Sequence, residues 1–262
     1  MSPHTALPRT IDEVILRLDA ITEDAARTGS RAGYFAALYN RVTRAVRDGV
    51  RARAFADNAR MERLDMAFAN RYLAAYDAWR SGRQPTLSWH TAFAADARQD
   101  LSVLQHLFMG MNAHINLDLG IAAAEVAPGD AIHGLRDDFN RINGVLASLL
   151  PIVEAQVRAM SPSLDQLSSL ADRMDNIDDR IGNFSMEKAR DGAWRFALRL
   201  APLRTPFGRE LAISARDAIV AEVGRQFQEP GPLTALLGGP DGVDVTARVH
   251  LLARTEPGLA AT

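Results

Sequence analysis

The sequence predicts an all-α protein: a single bundle of about eight to ten helices around a buried central helix over residues 1–228, followed by a Gly- and Pro-rich, loop-rich C-terminal tail over residues 229–262. Three observations predict it. Apolar residues recur at three- and four-residue spacing along most of the chain, whereas strand-like alternation is confined to VDVTARVHLLA, residues 243–253. One segment, Leu101 to Val126, is apolar in all directions, which marks a helix enclosed by others. Breakers such as SGRQPT at 81–86 and Pro128-Gly129-Asp130 divide the periodic stretches.

The first helix opens at Thr10, where Thr10-Ile11-Asp12-Glu13 has the spacing of a capping box, and runs to about Arg27. A second follows Ser30, with Tyr34, Leu38 and Val42 on one stripe. The third, Asp57 to Trp79, lines up Met61, Leu64, Phe68, Tyr72, Tyr76 and Trp79. Asp65 falls inside that stripe, about 40° from Met61 and about 60° from Phe68, so its carboxylate should point inward. A short helix begins near Trp89-His90, and the enclosed segment 101–126 comes after it. Residues 132–149 carry Ile132, Leu135, Phe139, Ile142, Leu146 and Leu149 at helical spacing, with Asn143 beside the stripe. Pro151 bends or restarts the chain, and a helix is expected from SPS at 161–163 to Met174. Further helices are expected at about 185–200 and 207–227, ending before Glu229-Pro230-Gly231-Pro232.

Composition removes several functions. The 262 residues include no Cys, which excludes thiol catalysis, disulfides and thiolate metal sites. A formal net charge of -2 argues against nucleic-acid binding by bulk electrostatics. The Arg-rich stretch from Arg41 to Arg63 reads as an exposed face of mixed charge, or as an anion or membrane patch. No run of apolar residues is long enough to span a membrane and the N-terminal segment does not look like a secretory signal, so the expected location is cytoplasmic. Dinucleotide, P-loop, nucleophile-elbow and His-Glu-x-x-His motifs are absent.

The chemistry concentrates in GMNAHINLDLGIA, residues 110–122. On an α-helical wheel Asn112 and Asn116 form one pair a turn apart, and His114 and Asp118 form a second on the opposite side. Buried amides and carboxylates need partners, since an unpaired amide costs about 1–3 kcal/mol and an unpaired charge more. Asp65, Asn143 and Asp138 are the expected contributors from neighbouring helices. His-x-x-x-Asp places two groups at one point beside a helix, as a metal site in a bundle does. The pair reads first as a structural hydrogen bond, with acid–base catalysis and metal ligation as the sharper alternatives. With Asp65 as a third ligand or base, one divalent metal ion on His114 and Asp118 would activate water. Arg190 and Trp194, one turn apart, are either a guanidinium packed on an indole or a clamp for a ligand carboxylate or phosphate.

Ala69-Asn70-Arg71-Tyr72, Trp89, the stretch Gly110 to Leu119, Asp138-Phe139 with Asn143, and Ala189-Arg190 with Ala193-Trp194 together resemble a bacterial family known as domain of unknown function 5995. The resemblance covers roughly Ile11 to Leu203 and implies a helical fold but no reaction. His-x-x-x-Asp is also similar to the metal helices of zinc-dependent phospholipase C and related nucleases. The chain departs from these, because no Pro-x-His follows Asp118. Three functions follow as alternatives. One is a hydrolase, in its sharpest form metal-assisted, with His114, Asp118 and Asp65 at its centre and Asn112, Asn116, Asn143, Asp138, Arg190, Trp194, Tyr72 and Trp89 binding or supporting. The second is a noncatalytic protein that binds a small, partly apolar molecule. The third is a purely structural polar network.

Overall fold

A computed structural model describes residues 6–146, 149, 186–229 and 244–254, and among these every regular element is helical. The helix expected at 161–174 and the bend at Pro151 lie outside the described residues. The elements are α1 (Ile11–Thr28), α2 (Ala32–Arg51), α3 (Asn58–Arg80), α4 (Leu87–Ala94), α5 (Val103–Ala113), a π turn (His114–Asp118) and α6 (Leu119–Val126). A 3-10 turn (Gly129–Leu135) then leads into α7, residues 136–146, followed by α8 (Met186–Leu200), α9 (Pro206–Gln226) and α10 (Val245–Ala253).

Local chemistry sets the starts. Thr10 Oγ1 accepts from Glu13 N at the head of α1, but the Glu13 carboxylate reaches back one residue further, to Arg9 N at 2.7 Å. The complete reciprocal box is at α5, where Ser102 accepts from Gln105 N and Gln105 Oε1 from Ser102 N. Asp217 of α9 accepts from Leu87 N and Ser88 N, so one buried carboxylate holds two of the free amides of short α4.

The rod formed by α5, the π turn and α6 is the centre of the molecule. It is contacted by α2, α3, α4, α8 and α9, and every residue from Leu119 to Ala124 is buried. Glycine permits that crowding: a Cβ on Gly120 would stand 2.8 Å from Ala193 O and 2.8 Å from Phe196 Cδ1. Gly120→Ala is therefore expected to destabilise by about 1–3 kcal/mol in urea titration, because the obstructing carbonyl belongs to α8 backbone and overpacking outweighs the gain in helix propensity. A variant as stable as the wild type would mean that α8 retreats freely.

Two expectations change. The described part of that stretch, residues 244–253, does not form a strand; Val245–Ala253 is a helix capped by Asp244 and packed on α1 and α2. Its inward positions, Val245, Arg248, Val249 and Leu252, have the helical i, i+3, i+4, i+7 order that the coincident alternation of valines hides. The central segment is likewise no uninterrupted α-helix, since the Leu119 amide bonds to His114 O five residues back. The Arg-rich face is largely neutralised by acids: Arg44 pairs with Asp19, Arg47 with Asp12 and Asp48, and Arg51 with Asp12. Among the described residues no helix is long and apolar enough to cross a membrane.

Candidate functional site

The π turn brings His114 and Asp118 together on one side of the rod. A turn closed by an i to i+5 bond holds more than four residues, so side chains four apart come closer to eclipsed than in an α-helix. His114 Nδ1 lies 3.2 Å from Asp118 Oδ2, with both side chains almost fully buried. The same Oδ2 accepts from Trp89 Nε1 at 2.7 Å, and Oδ1 accepts from Arg71 Nε at 2.9 Å. Asp118 is thus an acceptor for all three, which puts the imidazole proton on Nδ1 and leaves Nε2 as an unprotonated acceptor. Nε2 has no hydrogen-bond partner among the described residues.

Aromatic rings fix the imidazole. Phe68 stacks on it with centroids 3.6 Å apart and planes 9° from parallel, and Tyr39 meets it edge-on at 4.4 Å. Phe35, Tyr72 and Trp89 close the cage. Burial lowers the His114 pKa, opposed by Asp118 and assisted by Arg71, so the ring is neutral at neutral pH. Tyr72 sits in this cage with its hydroxyl unpartnered among the described residues.

Beside the cage is a cavity of about 290 Å³, walled by α2, α3, the π turn, α7 and α8. Its lining is mostly aliphatic, with Leu38, Val42, Val46, Leu64, Met111 and Leu146 contributing. Among the described residues the polar groups that reach it are few: Asp65, His114, Asn143 and Arg190, with Tyr39. Asp65 is buried and its Oδ2 lacks a partner among the described residues. Burial, and secondarily the charge of Glu62, push its carboxyl up to about 7. Burial and the charge of Asp65 in turn hold the Tyr39 hydroxyl well above its usual range.

The other expected residues divide. Asn143 and Arg190 join the cavity: Arg190 donates from Nε to Asn143 Oδ1 and from Nη2 to Phe139 O, and its guanidinium lies 4.5 Å from the Phe139 ring centroid. Trp194 packs on Phe139 and under Arg136, so the expected Arg190–Trp194 stack is not the one formed. Asn112 and Asn116 bond to each other at 3.1 Å on the far side of the rod, where Asn112 donates to Val220 O and Arg216 to Asn116 O. That pair ties the rod to α9. Asp138 is buried but turned elsewhere, accepting from Ala56 N and Asp57 N ahead of α3.

The expected metal set is not formed. Both Asp118 oxygens are occupied by protein donors, and His114 turns Nδ1 toward Asp118, so the two groups face one another instead of a common point. Among the described residues no three His, Asp or Glu side chains are grouped to hold an ion. Arg71 was not among the expected site residues; its sequence signal is only its place beside Tyr72 in Ala69-Asn70-Arg71-Tyr72.

Comparison with protein families matches residues 11–230 to a family described as "Family of unknown function (DUF5995)". The chain belongs to that family. No curated protein and no solved structure matches it. The matched span contains the rod, the cage and every named polar group of the cavity, whereas α10 of this DUF5995 chain lies beyond it.

Proposed function

We propose that this chain is a noncatalytic binding protein for a small, partly apolar molecule held in the cavity beside His114. The observation that carries the reading is a cavity of about 290 Å³ with an aliphatic wall, bordered by His114 and Asp65, each with a buried polar atom that has no hydrogen-bond partner among the described residues. Apolar walls supply affinity, and a few polar atoms fix orientation. Narrowing the cavity tests it. Val42→Phe is expected to abolish ligand-induced thermal protection while leaving the fold intact, since protection follows ligand concentration over Kd. Equal protection of Val42→Phe and wild type by a small molecule that protects the wild type would overturn the reading.

The orientation of the imidazole favours one second reading, metal-free hydrolysis. Asp118 holds Nδ1–H and leaves Nε2 as a base, the arrangement that general-base catalysis uses. Turnover of a bound ester that His114→Gln abolishes, with binding retained, would select it; binding without turnover selects the first.

A further inference from the structure

Resting on the ligand-cavity reading above, we infer that the molecule taken up is an amphipathic monoanion, an aliphatic chain with a carboxylate head that pairs with Arg190. The argument begins with a charge out of balance. Arg190 is 5% exposed and lines the cavity. Its hydrogen bonds go to an amide oxygen and a backbone carbonyl, both neutral, and its stacking partner is a phenyl ring. Among the described residues no carboxylate forms an ion pair with it; the neighbouring Asp191 is exposed. Burying a guanidinium against neutral partners leaves its charge uncompensated, which proteins avoid unless an anion arrives from elsewhere.

The remaining features choose among anions. Nε and Nη2 are committed to Asn143 and Phe139, and Nη1 makes no hydrogen bond among the described residues. One cation with one nitrogen to spare suits a carboxylate, whereas a phosphate brings more charge and more acceptor oxygens than Arg190 offers. Asp65, the cavity's acid, is pushed up to about 7 by burial and so supplies little negative charge below neutrality. Much of the remaining lining is aliphatic, including Leu38, Val42, Ile142 and Leu146. It suits a hydrocarbon chain better than a sugar or a peptide, which would bury unpaired donors there. At about 290 Å³ the cavity is at the lower end of ligand-sized pockets, which implies a chain of medium length.

Delipidated protein titrated calorimetrically at about pH 6 with decanoate, decanol and decylamine, below their micellar concentrations, separates the possibilities. Decanoate is expected to bind the wild type at least about tenfold more tightly than decanol, with decylamine weakest, since a charge-assisted hydrogen bond is worth about that factor. Arg190→Gln should erase the difference between decanoate and decanol, and Arg190→Lys should keep it. The head-group series on the wild type decides the matter even if a variant fails to fold. Decanol binding as tightly as decanoate overturns the anion assignment and leaves the ligand cavity standing; no binding by any of the three overturns both.

Discussion

At about pH 8, Asp65→Asn should be more stable than the wild type by about 2–4 kcal/mol in urea titration. Asp65 is buried, with an oxygen that no donor reaches among the described residues, and its carboxyl ionises at about 7 in the fold against 3.8 as a free side chain. Between those two values the unfolded chain has released a proton that the native state still holds. Raising the pH through that window therefore favours unfolding, and the loss is complete above about pH 7, where it reaches at most about 4 kcal/mol. An amide cannot ionise, so the variant escapes the loss. It must still find partners for its own donors, which sets the lower limit of the expected range.

The advantage of Asp65→Asn should shrink to about half near pH 5.5 and vanish near pH 4, and this course distinguishes ionisation from a packing effect. Two buried histidines act in the opposite sense. His106, pushed down to about 4 by burial, and His114, also lowered by burial, stay neutral in the fold while the unfolded chain takes up protons below about pH 6.5. Their contribution is fully present above that value and is lost as the pH falls toward the folded values. In the wild type Asp65 offsets one of these two protons over much of that window. Without it, acid should destabilise the protein more steeply, by about 1.4 kcal/mol more per pH unit. Parallel stability curves for the two proteins would show that Asp65 does not titrate as its surroundings require.

How far the sequence anticipates this centre depends on which physical constraint each residue answers to. Pairing of His114 with Asp118, and of Asn112 with Asn116, was legible because both follow from helical spacing within one element. The burial of Asp65 was legible for the same reason, through its place between Met61 and Phe68. A wheel reports that a side chain turns inward but not which neighbour it meets. Asp138 is as buried as expected, yet it holds the chain before α3 and takes no part in the cavity. Arg71 escaped because an arginine beside an apolar stripe resembles a solvated residue whose stem lies along the surface. The cavity was out of reach altogether, since its wall is the mismatch of several helices packed side by side, and no local pattern records a mismatch. In α10, two periodicities compete within one short run, and Asp244 as a cap is the feature that decides for helix.

Asp118→Ala should lose about 3–5 kcal/mol, the range for removing one partner from a buried ionic network. Three donors converge on this carboxylate, from Arg71, Trp89 and His114, and two of them come from side chains with almost no access to water. Truncation leaves the Trp89 indole N–H and the His114 Nδ1–H facing a void, so neither can recover its bond from solvent. Arg71 is different. Its side chain is 23% exposed and stands 3.7 Å from Glu125, to which it can turn. Asp118→Asn should therefore lose only about half as much, with the amide oxygen kept toward Trp89 and His114 and the amide nitrogen, itself a donor, displacing Arg71 toward Glu125. The Trp89 indole proton, followed by NMR, reports the arrangement directly: it should remain strongly downfield in Asp118→Asn and move upfield in Asp118→Ala. A truncation that costs under about 1 kcal/mol would mean that the network is satisfied by other groups, and that nothing but the aromatic cage then orients the free nitrogen of His114.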